Sequence, residues 1–417
     1  MHKPMNPPAI SKRQYVTLIL ILGTLTALVP FSVDMYLPGF PAIARDLDTN
    51  DARVSLTLTG FFLGISAGQL LYGPLLDRFG RKPPLYLGLL LYVLASIGCS
   101  FARNIDTLIL LRLVQAVGGC AAMVTSMSLV RDLFPVKDSA KVFSLLILIL
   151  GASPMIAPTA GGYITSAWGW PVVFVVLALI GVLVLLACLL WLPSPYRPDT
   201  TMSLKPGPIL KGFYQVATTP QFYTYALTGA LAFAGLFAYV SGSPLLFMKV
   251  FGLSGKVYGW IFAALSIGFI GMSQMNNVLL RYFSSEQIIR VALICYAVTA
   301  VSLFALAALH ALSLPLIITG LFLMLGCVGI TNPNASAMCL APFSRNAGSA
   351  SALMGALQMG LGALASVVIS MFDKPSVLPV VVSILVSALL SLSAFYLGKR
   401  KIVAPVQAEK GAAIPAH

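Results

Sequence analysis

Two ionisable residues stand where ionisable residues are expensive. Asp34 is the only acid inside the first long apolar stretch of the chain, and Arg112 is the only base inside any such stretch. A charge held at the middle of a bilayer costs about 2.5–3.5 kcal/mol on the most lenient scale, so an acid or base kept there is expected to have a task. An acid shielded from bulk water can bind and release a proton, and a guanidinium at the same depth can offset the ion left behind. The chemistry this pair suggests is proton exchange, not bond making. No catalytic set accompanies it. Histidine occurs only at His2, His310 and His417, and neither an HExxH pair nor a GxxxxGKS/T phosphate loop is present. Cys99, Cys120, Cys188, Cys295, Cys327 and Cys339 all lie in apolar stretches without a CxxC, which reads as small buried hydrophobes. No cofactor, no metal and no enzymatic activity are expected.

The elements that must position this pair follow from composition. Of 417 residues, 59% are apolar and 9% charged, with a mean hydropathy of +0.93. Apolar runs of 18 or more residues read as membrane crossings, so the expected solvent is lipid. Breaks at charges, prolines and polar clusters give twelve such runs, among them Tyr15–Pro38, Thr107–Val130 and Val142–Ile164, the first, fourth and fifth. The first is too long for a cleaved leader and reads as a retained helix. With the N-terminus inside, 19 Lys and Arg fall on the inner side and 6 on the outer, which orients both termini to the cytoplasm. The net charge of +14 is thereby explained by orientation, and no basic–aromatic cluster points to nucleic acid. Asp34 and Arg112 then lie at one depth, each about 28 Å along its helix from the cytoplasmic end. A polar, proline-rich connection divides the runs six and six, giving an expected N-terminal bundle at 1–192, a cytoplasmic linker at 193–221 and a C-terminal bundle at 222–417. Trp168 and Trp170 flank an outer turn and are expected to anchor it at the interface.

Charge is concentrated in one turn, "GPLLDRFGRKP" (Gly73–Pro83), after the second crossing. Its echo after the eighth, "NVLLRYFS" (Asn277–Ser284), lacks the Gly, the Pro and the acid. Gly73 and Gly80 are expected to permit tight backbone and close approach. The pattern formed by Gly73, Leu75, Asp77, Arg78, Gly80, Arg81 and Lys82 resembles the loop motif of the major facilitator superfamily. "RLVQAVGG" (Arg112–Gly119) resembles the family's fourth-helix motif, and "GASPMIAPTAGG" (Gly151–Gly162) its antiporter motif on the fifth helix. "DMYLPGFP", "NPNASAMCLAPF" and "AGSASALMGALQ" look like the bicyclomycin- and chloramphenicol-resistance branch, the Bcr/CflA-type drug:proton antiporters. The resemblance implies an all-α membrane protein of two pseudo-symmetric six-helix bundles around a central cavity. It implies a multi-pass monomer of the bacterial inner membrane that exports amphipathic drugs against protons. It implies that Gly73, Asp77, Arg78, Gly80 and Arg81 form a conformational latch. In the antiporter motif, Pro154 and Pro158 would bend the fifth helix while Gly161 and Gly162 let neighbours close in.

Asp34 and Arg112 are expected to couple, directly or through water. Asp34 has an alternative role, capping a helix break near Pro30 and Pro38 at the outer surface. Arg112 has a structural one, bonding backbone carbonyls of the first helix. Candidate cargo contacts are Tyr36, Gln115, Met123, Ser126, Phe237, Tyr239, Asn332, Asn334 and Gln358. Amides are weighted most, because lipid would leave them unpaired. An exporter of an endogenous metabolite, such as a nucleoside or amino acid, is the alternative function.

Overall fold

The computed structural model describes residues 12–134, 136–193, 206–343, 347–372 and 376–402. Residues 194–205 of the expected linker and both terminal tails lie outside the described residues, as do Arg197, Lys205, Arg345 and Lys374 from the charge count. The chain is helical: α1 Lys12–Asp34, α2 Phe40–Asp46, α3 Asp51–Phe79, α4 Lys82–Ser100, α5 Ile105–Leu133, α6 Val136–Trp168, α7 Trp170–Trp191, α8 Pro206–Ala217, α9 Pro220–Pro244, α10 Gly255–Leu279, α11 Ser285–Ala308, α12 Leu314–Leu340, α13 Ala347–Ser370 and α14 Leu378–Lys399. Eleven segments are long and apolar enough to cross a membrane among the described residues, the first combining α1 with α2. The helix α6, 33 residues long, is the twelfth of spanning length.

Helix boundaries follow local chemistry. Asn50 and Asn104 cap α3 and α5, each side-chain oxygen accepting a backbone N–H at 2.8 Å. Ser284 and Gln287 form a reciprocal capping box on α11. Proline occupies the first turn of α4, α7, α9, α12 and α14, where no intrahelical donor is lost. The turn ending α3 needs Gly80, whose φ of 84° is costly for a residue with a Cβ.

The first apolar run is not one helix. α1 stops at Asp34, Met35 and Tyr36 form a turn, and a single 3-10 turn covers Leu37–Gly39 before α2 starts. Pro38 explains the break, because it has no N–H to give the Asp34 carbonyl four residues back and its ring clashes with that carbonyl. The central connection also contains more than a linker, since α8 is a 12-residue helix packed on α13 and α9.

Two compact units divide the chain. One comprises Met1–Leu204 with Leu253–Ala263, the other Lys205–Gly252 with Ala264–His417. In the first, α5 is the central helix and packs most heavily on α3 and α4. Lipid provides little hydrophobic drive between helices, so close backbone approach through small residues does the work. Gly118 of α5 shows it: a Cβ there would come within 2.5 Å of the Tyr92 backbone nitrogen. In the second unit, α9 is central, against α14, α13 and α12, and the Tyr296 hydroxyl fills the space beside Gly235.

Two side-chain expectations change. Trp170 is not an interfacial anchor; it is 3% exposed and its indole N–H donates to Asp46 at 3.0 Å, while Trp168 stays exposed. Cys99, Cys120, Cys188 and Cys339 are buried, but Cys295 is exposed and Cys327 half-buried.

Candidate functional site

Asp34 ends α1 with 5% of its surface exposed. It makes no hydrogen bond or ion pair among the described residues. As the last residue of a helix it faces no free backbone N–H groups that could satisfy a carboxylate. Its surroundings follow from α6. A Cβ on Gly161 would overlap the carbonyl oxygen of Met35, so α6 presses directly on the residue after Asp34. Gly162 performs the same service on its other side, where a Cβ would lie 2.8 Å from the carbonyl oxygen of Gly255, in the 253–263 segment of the same unit. Pro154 and Pro158 both lie inside α6.

Arg112 is fully buried. Its guanidinium carbon lies 4.2 Å from the ring centroids of Tyr36 and Phe61 and 5.6 Å from that of Phe174. Nη1 donates to Gln115 Oε1 at 2.6 Å, and Nε and Nη2 have no hydrogen-bond partner among the described residues. No ion pair joins Arg112 to Asp34, so the direct contact expected from their shared depth is absent in this structure. Nor does the guanidinium bond carbonyls of α1. Three aromatic faces, each worth about 1–2 kcal/mol to a desolvated cation, hold it instead. The arrangement brings the two ionisable residues into one neighbourhood, since Tyr36, two residues after Asp34, forms a wall of the Arg112 cage.

This geometry reassigns three expected cargo contacts. Tyr36 is fully buried, and its hydroxyl donates to Thr57 Oγ1 at 2.8 Å, the Thr57 proton being committed to the Val54 carbonyl. Gln115 is fully buried and holds Arg112. Ser126 is fully buried, bonded to Thr26 Oγ1 and to the Leu22 carbonyl at 2.9 Å each, where it ties α5 to α1. Met123 is half-buried.

In the second unit, Asn332 of α12 and Gln358 of α13 are both half-buried and bonded to each other, Gln358 Nε2 donating to Asn332 Oδ1 at 2.9 Å. Gly229 of α9 sits beside both. Asn334 is 1% exposed and donates to Asn276 Oδ1 at 2.6 Å and to the Ile330 carbonyl at 2.8 Å. Phe237 is packed against Gly362 and Phe233, and Tyr239 is 2% exposed. Accessible amides therefore reduce to Asn332 and Gln358.

The charged turn is a built cluster. Arg81 donates through Nε to Asp132 at 2.7 Å and through Nη1 to Asp77 at 2.8 Å. Burial by itself would lower the Arg81 guanidinium pKa, but the bonds to Asp132 and Asp77 raise it on balance above the ordinary value. Asp132 belongs to none of the motifs; its signal in the sequence is an acid in "VRDLF" at the end of α5 that the charge count is expected to place inside, where cations are favoured. Gly73 shows no close approach: nothing among the described residues lies within 4 Å of a Cβ built there. Its reason is local. Gly73 precedes Pro74 inside α3, where a Cβ would strain the helical conformation.

Twelve helices of spanning length among the described residues, two of them holding a buried ionisable residue, define a multi-pass membrane protein. The chain belongs to the Major Facilitator Superfamily, whose profile matches residues 22–367. It is 31% identical over 392 residues to an uncharacterized MFS-type transporter, YdgK, of Bacillus subtilis, covering 94% of this chain and 97% of the relative. It is 30% identical over 378 residues to a bicyclomycin resistance protein homolog of Haemophilus influenzae, covering 91% and 95%. A crystal structure of a D-xylose-proton symporter shares the fold at a TM-score of 0.74 and 14% identity, over 95% of this chain and 99% of that one.

Proposed function

We propose that the chain exports amphipathic, bicyclomycin- or chloramphenicol-like molecules from the cytoplasm in exchange for protons, by alternating access. It works as a monomer in the bacterial inner membrane with both termini cytoplasmic, and the six-helix halves either side of the 193–221 linker are its moving bodies. The likeness to a bicyclomycin resistance protein homolog supports the cargo class. One observation carries the coupling: Asp34 is buried with no partner for its carboxyl group among the described residues. A buried carboxylate without a partner is unstable, so it must take either a proton or a polar ligand. Proton and cargo then compete for one group, which is the requirement for exchange. Arg112, caged against Tyr36 two residues after Asp34, is a second buried charge of the same unit.

Inside-out vesicles with an imposed pH gradient test the reading. Adding bicyclomycin or chloramphenicol is expected to collapse part of the gradient with the wild-type chain. Asp34→Asn is expected to abolish uphill export while leaving downhill movement measurable. Retained uphill export in Asp34→Asn would reject Asp34 as the coupling acid.

A further inference from the structure

The hydrogen bonds around Arg112 run in one direction, and their bookkeeping identifies a residue that the motifs do not mark. Ser96 lies on α4 and is fully buried. Its hydroxyl donates to the Tyr92 carbonyl at 2.7 Å. A hydroxyl has one proton to give, so toward Gln115 the Ser96 oxygen can only accept. Gln115 must therefore present its NH2 group to Ser96, at 2.7 Å. Its other end, the oxygen Oε1, is thereby turned to Arg112 Nη1. With the amide reversed, an NH2 group would face a guanidinium, donor against donor, and Ser96 would lose its donor. The orientation of the Gln115 amide, whose oxygen accepts from Arg112, is thus set one residue further away.

The same helix is anchored on both sides. The Ser32 hydroxyl donates to the Leu28 carbonyl, so the Tyr92 hydroxyl donates to Ser32, two residues before Asp34, at 2.7 Å. The Tyr92 ring is seated between glycines: a Cβ at Gly181 of α7 would come within 2.9 Å of Cδ1, and one at Gly119 of α5 within 3.4 Å of Cδ2. This accounts for the pair Gly118–Gly119 in "RLVQAVGG". Gly118 admits the Tyr92 backbone, Gly119 its ring, and the Tyr92 carbonyl then receives Ser96. Ser32, Tyr92, Ser96, Gln115 and Arg112 are each fully buried, so water offers no substitute partner.

We infer that Ser96 is a positioning residue for Arg112: its hydroxyl, fixed by the Tyr92 carbonyl, locks the Gln115 amide so that an oxygen meets the caged guanidinium. The inference rests on the proposed coupling function only through the transport readout; the lock itself is read separately by stability.

The experiment compares Ser96→Ala, Ser96→Thr, Gln115→Leu and the double variant Ser96→Ala/Gln115→Leu in the full chain. Uphill efflux of the drug is measured in proteoliposomes, and thermal stability on the purified protein. Ser96→Ala removes one atom and creates no clash, so folding is retained. It is expected to lower the maximal uphill rate at least about tenfold, the scale of one charge-assisted hydrogen bond, with KM within about twofold. Ser96→Thr keeps the oxygen and is expected to stay within about threefold of wild type. The double variant is expected to be no worse than Gln115→Leu alone, in rate and in melting temperature. Full activity in Ser96→Ala, damage in Ser96→Thr equal to that in Ser96→Ala, or losses that multiply in the double variant would each overturn the lock. If uphill transport proves independent of Asp34, the coupling reading falls, and the stability cycle still decides whether Ser96 and Gln115 act as one unit.

Discussion

Gly161→Ala tests whether the antiporter-motif helix must touch the chain at Asp34. The perturbation adds one methyl group to α6. The obstacle is the Met35 backbone: the new carbon would overlap the carbonyl oxygen, lie 2.7 Å from its carbon and 3.1 Å from the Met35 Cα. A side chain could rotate away, but a backbone segment cannot, so α6 and the turn after α1 must separate. Overpacking of this kind costs about 1–3 kcal/mol, and a backbone obstacle belongs at the upper end. Replacing glycine by alanine in a helix returns about 1 kcal/mol. The net cost is about 2 kcal/mol, which is a shift of roughly thirtyfold away from the arrangement seen here. Gly271→Ala on α10 is the control, since nothing lies within 4 Å of its added carbon and only the helical gain applies. Both variants are to be measured for melting temperature and for efflux at matched expression. Gly161→Ala is expected to melt lower and to export at least several-fold more slowly, and Gly271→Ala to match or exceed wild type in stability. Wild-type melting and efflux in Gly161→Ala would refute the claim that the contact at Met35 is required.

Two further outcomes are expected. Asp132→Asn removes the more buried of the two carboxylates that Arg81 is seen to hold, the other, Asp77, being 43% exposed and therefore screened, so the cluster should weaken by about 1–2 kcal/mol. A lower melting temperature with a reduced salt dependence checks this; because Arg81 is held above an already high pKa, its own titration adds no pH dependence in the working range. Gln358→Leu removes the donor to Asn332 Oδ1 and should raise the apparent KM for cargo carrying amide or hydroxyl groups by about tenfold, with the maximal rate near wild type. An equal loss for every cargo would place Gln358 in structure rather than recognition.

The helices were legible because lipid forces a simple code: long apolar runs, interrupted by charge and proline. Asp34 and Arg112 were legible for the same reason, as exceptions to that code. What escaped is what periodicity cannot express. The break after Asp34 was legible only as an alternative, because Pro38 lies within an apolar run and reads as a kink as easily as a stop. The helix α8 was hidden by Pro206 and Pro208, which suggested a loop but stand in a first turn, where proline is tolerated. Helical spacing correctly put Gln115 and Ser126 on the Arg112 side of α5, but it could not say whether that side faced a cavity or another helix. The answer lay in partners distant in sequence: Ser96 for Gln115 and Leu22 for Ser126. Hydroxyl bonds of this type leave no trace in composition, because a serine facing lipid satisfies itself on its own helix just as well.

The distribution of buried polarity sets a constraint on how cargo is recognised. Among the described residues, the spanning helices of the second unit carry charge only near their ends, at Glu286 and Arg290 in the first two turns of α11 and at Lys399 in the last turn of α14, where Lys399 and Glu286 pair. Its interior polar groups are amides and hydroxyls, bonded among themselves as in Asn334–Asn276 and Gln358–Asn332. The interior of the first unit holds the acid and the caged base. A cargo group that meets only amides gains nothing from carrying charge and must still be stripped of water, so a charged group there would be bound poorly. A neutral hydrogen-bonding group exchanges one amide partner for another at little cost. On the proposed function, discrimination by shape and neutral polarity is expected of the second unit, and a response to the protonation of Asp34 of the first. The two tasks can then vary independently: substitutions at Asn332 and Gln358 should change which molecules are accepted, while substitutions at Asp34, Arg112, Gln115 and Ser96 should change what drives them.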